Sequence, residues 1–246
     1  MADDNRPAKY ARYAIGEIIL VVIGILIALQ INTWNEDRIE RRKEQSILKS
    51  LRKTFSNNLD NLNFVLFNSM KAYDASKKML TLIGPDASGY TNYEVDTLLS
   101  HMINYTTYDP STGAIDNIIN SGKLNILQNN ELKENISNWS GMLSDAKKDI
   151  DIANNHTFNA LLDYLTEKAN LKNLPRPERI IERTGLNMSS TSHFPSDYND
   201  FMRDKEFENL IDFHALNFNY LIGEYVKIKE YLEHNLKLLE VQINED

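Results

Sequence analysis

An acidic side chain beside an apolar stretch is the residue of this sequence that most directly suggests chemistry. Glu17 stands immediately before the run Ile18–Leu29 (IILVVIGILIAL), which contains no charged residue. A carboxylate in a membrane helix can carry protons for an ion-driven machine, or it can pair with a basic residue such as Arg12 at the membrane surface. Because Glu17 lies near the end of the apolar stretch rather than at its middle, we favour the surface pairing.

The other residue types that catalyse reactions or bind metals lack the required spacing. The histidines show no ligand spacing with one another, and Glu230 with His234 is a single pair four residues apart. The segment Asp109–Gly113 (DPSTG) has the composition of the aspartic protease loop, but no second copy exists. Gly122 and Lys123 lack the upstream glycine of a phosphate-binding loop. We therefore expect a non-enzymatic protein with no catalytic residue, no cofactor and no metal ion.

Composition limits the classes of function further. The 246 residues include no cysteine, and 42% are hydrophobic while 25% are charged. This balance supports a folded core rather than a disordered chain. The lack of cysteine excludes disulfides, thiol catalysis and zinc–thiolate sites. The net charge of -8 argues against nucleic acid as a partner.

The apolar run and its flanks predict a transmembrane helix over residues 13–34. At about 1.5 Å per residue this segment covers roughly 33 Å, enough to cross a hydrocarbon core of about 30 Å. Tyr13 and Trp34 stand where interfacial aromatic residues are expected. The alternative is a cleaved secretory signal, because basic residues precede the run. No small-x-small cleavage site follows Ala28, which favours the membrane anchor.

The orientation of the helix is argued from the basic residues on its two sides. Residues 1–12 carry three Lys or Arg, whereas seven lie between Arg38 and Lys53. This count alone would place the large domain in the cytoplasm. However, the seven are interleaved with acidic residues on a predicted helix, and Arg12 lies close to the apolar run. We therefore expect residues 1–12 to form a short cytoplasmic tail and residues 35–246 a periplasmic domain.

One face of the predicted membrane helix has the composition of a helix–helix interface. At about 100° per residue, Glu17, Val21, Gly24, Ala28 and Asn35 share this face. Gly24 and Ala28 form a small-xxx-small pattern that lets two helices approach closely. The pattern predicts a homo-oligomer or a complex with another membrane protein; the alternative is chance, since Gly and Ala are common in membrane helices.

Beyond residue 35, apolar residues recur at three- and four-residue steps, which predicts helices. The predicted long helices cover residues 36–83, 130–171 and 204–243, and the short ones residues 93–105 and 111–121. The apolar face of the first long helix consists of Leu48, Leu51, Phe55, Leu59, Leu62, Leu66, Met70 and Tyr73. That of the second consists of Leu132, Ile136, Trp139, Leu143, Ala146, Ile150, Ala153, Thr157, Ala160 and Tyr164.

Nothing between Trp34 and Leu48 breaks a helix. We therefore predict an all-α fold, in which a single N-terminal transmembrane helix continues into an elongated antiparallel helical bundle with coiled-coil-like spacing.

Four tyrosines flank the two predicted short helices: Tyr90, Tyr93, Tyr105 and Tyr108. They indicate a possible binding region at the membrane-distal end of the bundle. The alternative, which we favour, is ordinary packing that closes the end of the bundle.

Two blocks of the sequence resemble a known family. Residues 13–36 (YAIGEIILVVIGILIALQINTWNE) are similar to the opening of a family of uncharacterised single-pass membrane proteins of Bacteroidota, which carries AIGEI, VVIGILIALQIN and WNE in that order. Residues 108–132 (YDPSTGAIDNIINSGKLNILQNNEL) resemble its middle block. The resemblance implies a bacterial inner membrane, this topology and this fold. It implies no activity, because the family is a domain of unknown function.

These observations together favour a membrane-anchored assembly protein or accessory subunit of an envelope complex. Its expected partners are the lipid bilayer and either a second copy or another membrane protein. The alternative is a periplasmic ligand-sensing bundle that signals through a partner membrane protein.

Overall fold

Helices make up nearly all of the chain that the structure describes. The computed structural model describes residues 6–104, 106–176, 182, 185, 191–194 and 196–243, with the backbone alone for residues 6–12. These residues contain no β-strand, which agrees with the predicted all-α fold. The helices are α1 (Arg6–Leu80), α2 (Asn92–Met102), α3 (Gly113–Asn120), α4 (Asn130–His156), α5 (Leu162–Lys168) and α6 (Lys205–Gln242).

The longest helix, α1, runs without a break from the apolar segment into the bundle. Residues 25–83 contain neither glycine nor proline, so nothing in them interrupts a helix. The side-chain amide of Asn32 is hydrogen-bonded within α1, since its Nδ2 donates to Glu36 Oε1 at 2.9 Å. The helix ends at Leu80, shortly before Pro85. The prediction that the first bundle helix continues the apolar segment is confirmed.

The two longest helices, α1 and α6, lie side by side and run in opposite directions. At one end of the bundle, Gln45 Nε2 donates to the carbonyl oxygen of Gln242 at 2.9 Å. At the other end, Ser76 Oγ lies 2.8 Å from His214 Nδ1. The end at Gln45 is nearer the apolar segment along α1, so we refer to it as the base and to the opposite end as the distal end.

Helix α4 packs against both of these helices and runs in the direction of α1. Near its start, the Trp139 ring lies between Phe55 of α1, at 6.0 Å, and Tyr231 of α6, on which it stacks at 5.5 Å. At its end, His156 Nε2 lies 2.9 Å from the carbonyl oxygen of Leu210.

Helices α2 and α3 act as a broken fourth member of the bundle. Glu94 of α2 lies 3.7 Å from Lys78, near the distal end of α1. The chain then descends, and the Asn58 amide of α1 bonds both the N–H and the carbonyl of Ser111, at 2.8 and 3.0 Å. The up-down-up-down order therefore extends the predicted three long helices to a four-membered bundle.

Local capping explains where the helices begin and end. The Thr91 hydroxyl accepts a hydrogen bond from the Glu94 N–H at 3.1 Å and so caps the start of α2. Asn129 does the same for the Leu132 N–H at 2.9 Å at the start of α4. Gly122 has a φ of 69°, a left-handed conformation suited to glycine, and it follows the end of α3.

A π-helical turn at Thr157–Leu161 joins α4 to α5 and changes which residues face the core. The predicted face contained Ala160 and Tyr164, but the fully buried residues are Leu161 and Leu165. A π turn holds an additional residue, so the helix face beyond it advances by about one position. The prediction for these positions was therefore wrong.

Met70 is another position where the predicted face differs from the observed one. Its side chain is exposed, whereas the neighbouring Ser69 is buried. The Ser69 hydroxyl can occupy the core because it donates to the carbonyl oxygen of Val65 at 3.0 Å within α1.

A buried polar cluster fastens the base of the bundle. Glu44 is almost completely buried; it accepts a hydrogen bond from Arg41 and another, of 2.7 Å, from the backbone N–H of Gln128. Arg41 also donates to the carbonyl oxygen of Gln242 at 3.3 Å, at the negative end of the α6 dipole. We call Arg41, Glu44, Gln128 and Gln242 the basal cluster. Arg41 follows Trp34 by seven residues, so the cluster begins about 10 Å beyond the apolar segment.

Replacing Glu44 by alanine is expected to destabilise the bundle by about 1–3 kcal/mol. The change leaves the Gln128 N–H without its acceptor and Arg41 without its carboxylate. Chemical denaturation of the full-length protein in detergent measures the effect. Glu40→Ala, at an exposed position of the same helix, is the control. Equal losses for the two variants would contradict a structural role of the basal cluster.

Candidate functional site

The predicted interface residues all lie on the exposed part of α1. Glu17, Val21, Gly24, Ala28 and Asn35 contact no other helix of the described structure, and an added Cβ at Gly24 would meet nothing within 4 Å. By length and composition this part of α1 could cross a membrane, and none of it is buried within the protein.

The interface face points away from the bundle. Leu51, which is fully buried in the core, follows Gly24 by 27 residues, or about 7.5 helical turns. Because half a turn remains, Gly24 lies on the side of α1 opposite the core. A second helix could therefore approach Gly24 without meeting the bundle of the same chain.

The predicted group of four tyrosines is divided by the fold. Tyr90 and Tyr93 lie at the distal end, where the Tyr90 hydroxyl donates to Asn199 Oδ1 at 3.1 Å. Tyr108 lies in the core nearer the base, and its ring is 6.1 Å from that of Tyr225. Tyr105 lies outside the described residues. The separation arises because the segment after α2 descends along α1, which carries Tyr108 away from the distal end.

A cavity of about 520 Å³ opens at the distal end, a volume typical of small-molecule sites. The start of α2 forms one wall, and two irregular segments of the chain form the other. The described residues that line it have polar and apolar groups, and they are Asn92, Tyr93, Asp96, Lys172, Asn173, Leu174, Pro175, Arg176, Thr191, Ser192 and Ser196. Of the predicted tyrosines, only Tyr93 contributes to it.

Asp96 is the unusual residue of this cavity. It is only 7% exposed, and its carboxylate accepts a hydrogen bond from the hydroxyl of the buried Tyr198. Burial raises the pKa of Asp96, although the hydrogen bond from Tyr198 acts in the opposite direction. Burial likewise raises the pKa of Tyr198, to about 12. A buried carboxylate with a raised pKa at the wall of a cavity is typical of functional sites.

A network of amides and hydroxyls fixes the cavity wall opposite Asp96. Ser196 Oγ accepts from the side-chain amides of Asn170, at 3.1 Å, and Asn173, at 2.9 Å. The carbonyl oxygen of Ser196 accepts from Asn92 Nδ2 at 2.8 Å, which ties this wall to α2. The wall is therefore held by hydrogen bonds rather than by apolar packing alone.

Sequence reasoning missed Asp96, although a signal was present. Val95, Leu99 and Met102 form the apolar face of α2, and Asp96 lies on the same face, three residues before Leu99. A charged residue on the core side of an amphipathic helix is unusual unless it is paired or functional. The other half of the cavity comes from residues 75 or more positions away, and no local pattern shows that they meet.

The segment Asp109–Gly113 has a structural role at the point where it contacts α1. Ser111 is held there by both hydrogen bonds from Asn58. The Asp109 carboxylate accepts from the Thr107 hydroxyl at 2.8 Å. Among the described residues, no three His, Asp or Glu side chains are arranged to hold a metal ion. His234 lies 2.6 Å from Glu131, across to α4, rather than pairing with Glu230.

A fully buried histidine connects α6 with α1 and α2. The His214 ring places Nδ1 2.8 Å from Ser76 Oγ and Nε2 3.2 Å from the carbonyl oxygen of Met102. It also stacks on Phe218 at 4.3 Å. Burial, with a contribution from the nearby His156, lowers the pKa of His214 to about 3. Ser76 and His214 are both 0% exposed, so this serine–histidine pair stabilises the packing and cannot reach a substrate.

The buried His214 predicts a loss of stability in mild acid. Its folded-state pKa lies below its ordinary value of 6.5, so the unfolded chain takes up the proton first as the pH falls. The free energy of unfolding should therefore decrease between pH 6.5 and about 3, by at most about 1.4 kcal/mol per pH unit for this group. Thermal unfolding of His214→Gln should show a shallower pH dependence than the wild type. His193→Gln, at an exposed position, is the control, and equal slopes for both variants would contradict the assignment.

Comparison with known proteins gives one match. The sequence model of a family of unknown function (DUF6090) matches residues 17–143. No curated protein and no solved structure matches the chain. The matched region begins at Glu17 and ends within α4, so it includes most of α1 and the α2 wall of the distal cavity but not the opposite wall. Since it extends over more than half of the sequence, the chain belongs to the DUF6090 family of unknown function.

Proposed function

We propose that this protein is a non-enzymatic, single-pass membrane protein that acts as an assembly or accessory subunit in the inner membrane of a bacterium, as in Bacteroidota. Residues 13–34 of α1 cross the bilayer, and the bundle projects into the periplasm. The protein associates with a second copy or with another membrane protein through Glu17, Val21, Gly24, Ala28 and Asn35.

The observation that carries this proposal is the exposed apolar part of α1. Its large apolar side chains are about half exposed or more, Ile18 at 64% and Leu20 at 74%, along a helix that nothing else in the described chain covers. An apolar surface of this size is unfavourable in water and marks contact with lipid or with another protein. Its length matches a bilayer, which supports lipid as the main environment.

The direction of the small-residue face supports association within the bilayer. Gly24 points away from the bundle, so a partner helix can pack there while both bundles stay clear of the contact. Arg42 follows Gly24 by 18 residues, or about five turns, and so lies on the same face. In a parallel pair of identical helices the two Arg42 side chains would repel each other. Self-association is therefore confined to the membrane part of α1.

The basic residues near the membrane bear on the orientation. Arg41 is bound to Glu44 within the basal cluster, and the Arg38 guanidinium lies 5.7 Å above the Trp34 ring. Both residues therefore have contacts within the fold on the bundle side of the apolar segment. These contacts give a structural reason for two of the seven basic residues, so the count is a weaker argument for a cytoplasmic bundle. We retain the periplasmic orientation on this ground.

A second candidate function is ligand sensing, which the distal cavity favours. The cavity lies at the end of the bundle away from the apolar segment, as a ligand-binding site of a membrane receptor would. The unbroken α1 connects the distal half of the bundle with the membrane segment. A sensing role predicts that small molecules raise the melting temperature, whereas an assembly role predicts a stable oligomer without any ligand.

Replacing Gly24 by isoleucine is expected to weaken association in the membrane, because the larger side chain prevents close approach of the helices. A membrane two-hybrid assay of the full-length protein measures the change. The matched control is Gly16→Ile, which lies about 80° from Gly24 around the helix, towards the side of α1. If the Gly24 variant associates as strongly as the wild type, the proposed interface is wrong.

The orientation is tested by fusing alkaline phosphatase or a fluorescent protein to the C-terminus. Phosphatase folds to an active enzyme only outside the cytoplasm, so activity after Asp246 is the expected result. Fluorescence without phosphatase activity would place the bundle in the cytoplasm, as the count of seven basic residues against three suggests.

A further inference from the structure

The distal cavity is lined by one acidic and two basic side chains, which form no ion pair with one another among the described contacts. Asp96 lies on the α2 wall, whereas Lys172 and Arg176 lie on the opposite segment. In the described part of the chain no cation contributes to the pKa of Asp96, so neither basic residue is its partner. The cavity therefore has separate negative and positive walls.

Within the described segments, Asp96 has no counter-charge in a place where one would be stabilising. The residue is 7% exposed, and its carboxylate accepts a hydrogen bond from the neutral Tyr198 hydroxyl. An ionised carboxylate can accept about four hydrogen bonds, so acceptor capacity remains. A buried charge without a partner is costly to a protein unless a ligand or a counter-ion completes the pair. An ammonium group in the cavity would supply both the charge and the donors.

The opposite wall has donors for an anionic group. The Arg176 guanidinium uses Nη2 to donate to the carbonyl oxygen of Leu171 at 3.2 Å, which orients the side chain and leaves other N–H groups for a ligand. Lys172 is exposed at the same wall. An arginine fork binds a carboxylate with two parallel hydrogen bonds, whereas a lysine adds charge without fixed geometry.

The geometry points to a binding site for a small zwitterion, a free amino acid or a short peptide, whose ammonium group pairs with Asp96 and whose carboxylate pairs with Arg176 and Lys172. The cavity volume of about 520 Å³ accommodates either. Tyr93, which is largely exposed at the cavity wall, can cover the ligand's apolar part. This inference rests on the ligand-sensing candidate function and is independent of association through Gly24.

The test uses the full-length protein in detergent or nanodiscs and measures thermal stabilisation and binding heat. The probes are the common L-amino acids and L-alanyl-L-alanine, whose comparison distinguishes a free amino acid from a peptide. The matched control ligands are the N-acetylated forms, which lack the ammonium group, and the C-terminal amides, which lack the carboxylate. We expect at least one zwitterion to bind, and its two blocked forms to bind roughly 10- to 100-fold more weakly.

The matched variants separate binding from folding. Asp96→Asn keeps an acceptor for Tyr198 and removes the charge, so the variant should fold with an unchanged or higher Tm. Its affinity for the zwitterion should fall by roughly 10- to 100-fold. In the double variant Lys172→Gln, Arg176→Gln, the affinity for the zwitterion should fall by a similar factor. Asp86→Asn, exposed outside the cavity, should bind as the wild type does.

Each contrary result has a distinct meaning. If blocked and unblocked ligands bind equally well, or if Asp96→Asn binds as the wild type does, the zwitterion assignment is wrong while ligand sensing stands. If no probe binds at millimolar concentration, the inference is overturned. The Gly24→Ile experiment then decides the assembly function separately.

Discussion

The continuity of α1 is the constraint on which the rest of the structure depends. Over about its first third, α1 is apolar on all sides. Over the remainder, only one of its sides packs into the core of the bundle. The change occurs between Asn35 and Glu44, where charged residues cover every side of the helix. Because residues 25–80 of α1 contain neither glycine nor proline, the helix has no such hinge between the apolar segment and the bundle, and the direction of one sets the direction of the other. The direction of the Gly24 face, away from the core, is a consequence of this rigidity.

Buried polar groups set the register of the helices at two heights along this axis. At the base, Glu44 joins α1 to the segment before α4 and, through Arg41, to the end of α6. In the distal half, His214 joins α6 to α1 and α2. Apolar contacts between long helices allow sliding by one turn, whereas these polar contacts are satisfied in a single register. Asp96 differs from both, because its carboxylate lies at a cavity wall and has no cationic partner among the residues that the structure describes.

Glu44 and His214 stabilise the fold, whereas Asp96 could serve a function. Glu44 and His214 have their partners within the chain, and each is explained by packing. Asp96 is buried, and desolvation raises its pKa, which is unfavourable for the ionised carboxylate. A buried carboxylate at the wall of a cavity makes the distal cavity the most informative site of the molecule.

The all-α class, the continuous first helix, the positions of the short helices and the membership of an uncharacterised family could be read from local patterns in the sequence. Apolar spacing and the apolar run each act over fewer than about twenty residues, so the sequence determines them directly. The shift of the apolar face at Leu161 and Leu165, the separation of Tyr108 from Tyr93, and the meeting of Asp96 with Arg176 were decided only by the tertiary structure. Each of these depends on how distant segments pack against α1, and a pattern within one helix carries no information on which other segment will cover it.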